Sequence, residues 1–156
     1  MPLKSIFHVN VNCSDFERSK SFYENLGFTT VMDLPDLATA DLEVGLALPE
    51  LAGRAAIMML DPDDPRQARL DLIEWTNPDD NDPPYPHLAH LGINRIAIWT
   101  VDLEGEYERL RADGVEFLSE PRILQGHTRF VCLKDPDGTI IELIEFLATP
   151  SPNGES

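Results

Sequence analysis

The sequence is poor in the residues on which several large classes of protein depend. Only 12 of its 156 residues are Lys or Arg, against 28 Asp or Glu, so the formal net charge is −16 and the isoelectric point is about 4.4. Such a chain would repel a phosphate backbone, because nucleic-acid binding depends on clustered basic residues that this sequence lacks. We therefore expect no nucleic acid among its partners.

Long apolar runs and metal-type cysteine spacings are missing too. No apolar stretch approaches the roughly 20 residues needed to span a bilayer, and the N-terminal residues lack the apolar region of a signal peptide. The two cysteines, Cys13 and Cys132, are expected as buried free thiols. A glycine-rich phosphate loop and a serine nucleophile motif are also absent. These features predict a cytoplasmic protein that has no contact with a membrane.

What the chain does contain is one pattern that occurs twice, at an offset of 87 residues. His8 belongs to the first copy and Arg95 to the second, each in an alternating strand followed by a capped helix that ends at a glycine. Each half later ends in a similar strand, in which Asp71 and Glu142 hold equivalent positions. An internal repeat of this kind predicts a two-fold arrangement, in which these four residues would converge on one site.

The order of strands and helices in each half predicts an α+β fold. We expect two tandem βαβββ modules that form a cupped, mixed β-sheet with the helices outside. The predicted ranges are a first module at 1–78, a polar Pro-rich linker at 79–91, a second module at 92–148 and a disordered tail at 149–156. The first half is about 16 residues longer, and the spacing of apolar residues within 33–54 predicts a short extra helix. That helix would be a wall of the ligand site or a plain surface helix. A strand is expected at 115–118.

Strand alternation separates an aliphatic face, which should pack under the helices, from a mixed face with polar and aromatic side chains. The mixed face carries the four equivalent residues and both tryptophans of the chain, as expected of a small-molecule pocket. In the alternative interpretation the tryptophans only fill the core. His127 lies in a loop that could overhang the site. The predicted ligand-binding residues are Asn10, Asn12, Trp75, Trp99, His127 and Phe146.

Three segments carry a resemblance to a known family. They are a spaced pattern from His8 through Asp15 and Phe22-Tyr23 to Leu26-Gly27-Phe28, the turn Asp135-Pro-Asp-Gly138, and the strand Ile141-Glu-Leu-Ile-Glu145. On these residues the chain resembles the vicinal-oxygen-chelate superfamily, which includes glyoxalase I, bleomycin-resistance proteins and extradiol dioxygenases. The resemblance covers residues 5–147. It implies the two-module fold, with a site for a small molecule.

The resemblance also implies a divalent metal, held by one residue from the first strand and one from the last strand of each module. His8, Asp71 and Glu142 are the matching ligands, and this set suits Fe²⁺, Mn²⁺, Ni²⁺ or Zn²⁺. Arg95 departs from the family pattern, which usually has His at this position, because a guanidinium that keeps its proton cannot be a ligand. A divalent metal is therefore expected only if the carboxylates compensate the charge of Arg95.

Three hypotheses for the function follow. In the first, the metal chelates oxygens of a small aromatic or oxygen-bearing substrate, and the protein is a lyase, isomerase or dioxygenase. In the second, Arg95 pairs with Asp71 or Glu142, and a metal-free protein sequesters a toxic compound, as in antibiotic resistance. In the third, His8 acts as a general base without a metal and Arg95 stabilises an oxyanion. The predicted catalytic residues are His8, Arg95 and Glu142, and exposed sheet edges predict a homodimer.

Overall fold

The computed structural model describes residues 2–80 and 82–148 of the chain. The chain divides into two compact units whose boundary lies between Pro83 and Pro84, inside the segment 79–91. The elements of unit 1 are β1 (His8–Asn12), α1 (Phe16–Asn25), β2 (Thr29–Leu34), α2 (Ala40–Leu46), β3 (Ala52–Met59) and β4 (Arg69–Asn77). Those of unit 2 are β5 (Ile96–Trp99), α3 (Leu103–Ala112), β6 (Arg122–Leu124), β7 (Thr128–Lys134) and β8 (Ile140–Phe146).

Each unit contains one mixed sheet of four strands. In unit 1 the strand order is β1-β4-β3-β2, and in unit 2 it is β5-β8-β7-β6. The first strand runs parallel to the last in both sheets, and the other neighbours are antiparallel. The predicted α+β class and the two βαβββ modules are thereby confirmed.

Alternating side chains on the last strand of each unit explain why a helix packs against it. Leu70 and Leu72 of β4 and Ile141 and Leu143 of β8 are at most 4% exposed. α1 packs on β4, while α3 packs on β7 and β8. Full burial of one such side chain contributes about 2 kcal/mol, so these aliphatic rows are the main attachment of each helix.

The same ion pairs reinforce the helix-facing side in both units. Arg54 Nε donates to Glu74 Oε2 at 2.8 Å in unit 1, and Arg129 Nη1 donates to Glu145 Oε2 at 3.2 Å in unit 2. In each case the arginine also lies near a glutamate of the first helical turn; Glu17 is at 3.2 Å in unit 1. These repeated networks tie the first turn of the helix to two strands of the sheet.

The structure corrects one predicted strand and contains the extra helix. Residues 115–118 form only an isolated bridge between Phe117 and Leu133, and the regular strand lies later, at Arg122–Leu124. Pro121 offers no amide hydrogen to a ladder, so pairing stops before it and resumes after it. The extra helix predicted within 33–54 is α2, which Thr39 caps by accepting from the Leu42 amide.

The predicted disordered tail, 149–156, falls outside the described residues. In the described part of the chain, no helix has the length and apolarity that crossing a bilayer demands.

Candidate functional site

The four equivalent residues form two pairs, one within each unit. In unit 1, His8 Nδ1 lies 3.0 Å from Asp71 Oδ2. β1 and β4 run in parallel with Asn10 opposite Asp71, so the parallel register brings the imidazole and the carboxylate together on one face of the sheet. The sequence predicts this face from strand parity alone, but the hydrogen bond depends on the register.

The His8–Asp71 pair has the geometry of an oriented imidazole. When Nδ1 carries the hydrogen and donates it to Asp71, the lone pair of Nε2 is left available as a base. The His8 side chain is 44% exposed and that of Asp71 is 15% exposed. The histidine ring is therefore accessible to a ligand, while the less exposed carboxylate fixes the orientation of the ring.

Two buried side-chain atoms of the described residues lack a hydrogen-bond partner, and both belong to β4. They are Arg69 Nε and Asp71 Oδ1. The Arg69 guanidinium lies over the Phe7 ring, 4.1 Å from its centroid, which partly explains how this cation is accommodated. Asp71 thus uses one oxygen for His8, and its second oxygen has no partner within the described part of the protein.

The corresponding pair in unit 2 is a salt bridge instead of an oriented base. Arg95 Nε donates to Glu142 Oε2 at 2.7 Å, and Arg95 Nη1 also donates to Asn94 Oδ1 at 3.3 Å. The hydrogen bond to Glu142 raises the pKa of the Arg95 guanidinium, and the charge of Glu142 adds to this effect. Of the two predicted partners, Asp71 or Glu142, it is Glu142 that the structure pairs with Arg95.

Cys132 lies beside this salt bridge, opposite Glu142 in the β7–β8 register. Burial raises the pKa of its thiol, and the Glu142 charge raises it further, while Arg95 acts in the opposite direction. Both cysteines are buried and free, as the sequence predicts. A neutral, buried thiol beside an occupied carboxylate is not an activated nucleophile.

Neither unit by itself brings together the three metal ligands that the sequence resemblance implies. Unit 1 brings together one imidazole and one carboxylate, and the carboxylate of unit 2, Glu142, is held by the guanidinium of Arg95. No three His, Cys, Asp or Glu side chains of residues 2–80 and 82–148 come together as a possible metal-binding group. Protein metal sites generally need at least three such ligands. Binding of a metal by His8, Asp71 and Glu142 stays a prediction.

The predicted ligand-binding residues of unit 1 share one face of its sheet. Trp75 Nε1 donates to Asn12 Oδ1 at 3.0 Å, which joins the end of β4 to the end of β1. Asn10 is exposed between His8 and Asn12. Unit 1 thus presents, on one face, the His8–Asp71 pair, an exposed amide and a fixed indole.

The predicted ligand-binding residues of unit 2 are more exposed. Trp99 lies opposite Ile144, and Phe146 lies two residues further along β8 on the same face. Their exposed fractions are 64% and 66%. His127 is exposed in the turn between β6 and β7, where its backbone carbonyl accepts from the Leu147 amide.

Sequence reasoning missed one residue that shapes this face. Gly53 lies opposite Trp75 in the β3–β4 register, next to a register shift between Ala52 and Gly53. A Cβ at this position would lie 2.5 Å from the Glu74 carbonyl oxygen and 3.0 Å from Trp75 Cε3. A glycine inside a strand often marks a bulge or a close approach, so its position was the available signal.

Comparison with known proteins agrees with this architecture. The model of the Glyoxalase/Bleomycin resistance protein/Dioxygenase superfamily matches residues 5–143. The uncharacterized protein YwkD of Bacillus subtilis is 31% identical over 150 residues, which cover 93% of this chain and 99% of YwkD.

Solved structures show the same fold. A glyoxalase family protein from Bacillus cereus superimposes with a TM-score of 0.84 at 20% identity, covering 95% of this chain and 97% of that one. TnmS3, an antibiotic binding protein from Streptomyces sp. CB03234, superimposes with a TM-score of 0.66 at 25% identity, covering 94% and 98%. With a family model that spans most of its length, the chain belongs to the Glyoxalase/Bleomycin resistance protein/Dioxygenase superfamily.

Proposed function

We propose that this protein catalyses proton transfer on a small oxygen-bearing organic molecule, as an isomerase or lyase of its superfamily that works without a metal. The observation that carries the proposal is the 3.0 Å contact between His8 Nδ1 and Asp71 Oδ2, with His8 half-exposed. An imidazole fixed by a carboxylate is an efficient general base near neutral pH. His8 is the catalytic residue of the proposal, and Asp71 is its positioning residue.

In the proposed step, His8 Nε2 removes a proton from a carbon next to a carbonyl group. The electron pair of that C–H bond forms the carbon–carbon double bond of an enolate, and the carbonyl oxygen takes the negative charge. The exposed Asn10 amide, on the same face, is the proposed donor to this oxygen. Return of the proton to the face it left gives exchange only, whereas its return to the opposite face, after the enolate has turned over, completes an epimerisation. In an elimination, the enolate electrons expel a leaving group from the next carbon, and the leaving group takes the proton from His8.

A second candidate function is sequestration of a compound without turnover. It is favoured by the likeness to TnmS3, which is an antibiotic binding protein, and by the exposed Trp99 and Phe146 rings on the sheet of unit 2. In this alternative, aromatic contacts provide the affinity and no proton leaves the bound compound. A protein that binds an aromatic probe without exchanging its protons would support this alternative.

The experiment that tests the proposal is solvent deuterium exchange. 2-Tetralone and phenylpyruvate both carry acidic C–H bonds between a ring and a carbonyl group, and their deuterium uptake in D₂O is followed by NMR. We expect wild type to accelerate uptake above the buffer rate, and His8→Gln to lower the accelerated rate by about 100-fold or more. The matched control is His90→Gln, because His90 is exposed and distant in sequence from the pair. Undiminished exchange in His8→Gln would contradict the proposal.

The metal hypothesis is tested separately. Protein prepared without chelator or affinity metal is titrated with Fe²⁺, Mn²⁺, Ni²⁺ and Zn²⁺, using wild type, His8→Ala and Glu142→Gln. We expect no binding at micromolar concentrations. Binding of about one equivalent that both variants lose would favour the predicted His8, Asp71 and Glu142 set instead.

The homodimer and the cytoplasmic location stay predictions. Sedimentation can test the first, and cell fractionation can test the second.

A further inference from the structure

The Trp75 indole lies next to residues of both strands that neighbour β4. Its Nε1 donates to Asn12 on β1, while its Cε3 lies next to Gly53 on β3. β4 is the strand between β1 and β3. Because Nε1 and Cε3 are on opposite edges of an indole, the ring lies across the sheet from one neighbouring strand to the other.

Gly53 is what permits this arrangement. The shortest contacts of an added Cβ would be with the Glu74 carbonyl oxygen, at 2.5 Å, and with Trp75 Cε3, at 3.0 Å. The first of these atoms is backbone and cannot move without separating β3 from β4. Any larger residue at position 53 therefore displaces either the strand or the indole.

This indole has the properties of a ligand surface. It is only partly buried, its single N–H is already satisfied by Asn12, and it lies on the same face of β4 as Asp71. A fixed aromatic ring whose polar atom is already paired presents apolar area at little entropic cost to a flat ligand.

The separation along β4 sets the size of that ligand. Asp71 and Trp75 are four residues apart, which is about 13 Å in a strand. We propose that Gly53 is a specificity-determining residue, which lets Trp75 act as a stacking surface for a flat aromatic ligand long enough to reach the His8–Asp71 pair. Such a ligand is about 10 Å long, the length of about three fused rings, because a hydrogen bond of about 3 Å completes the separation of about 13 Å. It carries its oxygen at the His8 end. The position of the ligand's oxygen, at the His8 end, rests on the proposed function.

The test measures affinity as a function of ring number. Phenol, 2-naphthol and 2-hydroxyanthracene are the probes, and equilibrium dialysis gives their dissociation constants. The variants are Gly53→Ala and Asn12→Leu, and the matched control is Gly45→Ala, because a Cβ at Gly45 meets nothing within 4 Å. Circular dichroism and thermal melting establish that each variant is folded.

In wild type, we expect 2-hydroxyanthracene to bind at least about 100-fold more tightly than phenol. In Gly53→Ala the three-ring affinity falls about tenfold, while that of phenol changes less than twofold. Asn12→Leu gives a fall of about threefold, and Gly45→Ala gives none. If Gly53→Ala does not fold, Asn12→Leu decides. Equal ring dependence in the folded variants and in wild type would overturn the inference, as would a wild type that binds none of the probes.

The two proposals fail in different ways. None of the phenols needs a proton removed from carbon, so their binding does not depend on catalysis by His8. If ring dependence is insensitive to Gly53 and Asn12 while deuterium exchange still requires His8, only the stacking surface is wrong. If exchange proceeds without His8 while the ring dependence holds, only the proposed reaction is wrong.

Discussion

The two units are alike on the side that faces their helices and different on the opposite face. Both have the same strand order and the same arginine–glutamate network beneath the first helical turn. On the other face, unit 1 has an imidazole on a carboxylate where unit 2 has a guanidinium on a carboxylate. The repeated fold is thus maintained by one set of residues, and the chemistry is set by another.

The difference also extends to the aromatic residues at the end of the last strand. Trp75 is fixed by Asn12 and lies against Gly53, whereas Phe146 lies opposite Thr128 and is 66% exposed. Thr128, which carries a side chain, holds the register position in unit 2 that Gly53 holds in unit 1. In unit 1 the aromatic ring is thus fixed on the sheet face, whereas in unit 2 it is largely exposed.

The largest expected effect separates the two carboxylates. Asp71→Asn should lower the rate of deuterium exchange by about 10- to 100-fold, because the amide orients His8 less well and favours the wrong ring hydrogen. Glu142→Gln should leave the rate within about threefold. Deuterium uptake by 2-tetralone checks both variants. Equal losses in the two variants would contradict the assignment of Asp71 as the residue that orients His8.

A second comparison concerns the turn before the last strand, which has the sequence Asp-Pro-Asp in both units. Asp135 is only 4% exposed and accepts from the Asp137 and Thr139 amides. Asp61, its counterpart, is exposed, although it accepts from the Asp63 amide in the same way. Asp135→Ala should therefore lower the free energy of unfolding by about 2–3 kcal/mol.

Asp61→Ala is the matched control for this turn, and it should change the free energy of unfolding by no more than about 0.5 kcal/mol. Urea unfolding of both variants checks the difference. A similar loss for the two would mean that the turn sequence matters and that burial does not.

A smaller difference is expected between the two glutamates of the ion networks. Glu74 accepts from Arg54 and also from the Phe16 amide at the start of α1, at 3.0 Å. Glu145 accepts from Arg129. We expect Glu74→Gln to cost about 2 kcal/mol and Glu145→Gln about 1 kcal/mol, because among the described residues the charged acceptor of unit 1 has one more donor. Urea unfolding checks this order, and a larger loss for Glu145→Gln would contradict it.

The smallest expected effect is the pH dependence of Cys132. Since burial and Glu142 raise the pKa of its thiol, alkylation should begin at a higher pH than for an ordinary thiol. The neutral Cys132 thiol contributes fully to the stability of the fold below the ordinary thiol pKa. This contribution is lost as the pH rises through the raised pKa. Glu142→Gln should move the alkylation profile of Cys132 to lower pH, as measured by iodoacetamide labelling and peptide mass spectrometry. An unchanged profile would contradict the influence of Glu142.

Much of the fold follows from the sequence because strand parity and the 87-residue repeat are local or periodic signals. They predict which residues share a face and where the helices lie. They fail at 115–118, where the structure has only an isolated bridge, and the regular strand lies beyond Pro121, at Arg122–Leu124.

The candidate site is predictable in its residues more than in its contacts. His8, Asp71, Arg95 and Glu142 are identified by their equivalence in the repeat, but hydrogen bonding within each pair depends on the strand register. Arg95 pairs with Glu142 because β5 and β8 are neighbouring strands in this register. The role of Gly53 depends on a close approach between two strands, which no periodic pattern contains.

The most direct test of a metal-free base in unit 1 is one exchange measurement on chelator-treated protein. Deuterium uptake by 2-tetralone is followed with wild type and with His8→Gln, each before and after addition of divalent metal. We predict that chelator-treated wild type accelerates uptake, that added metal leaves its rate unchanged, and that His8→Gln loses the acceleration. Uptake that survives in His8→Gln, or that appears only after metal is added, would contradict the assignment of His8 as a metal-independent base.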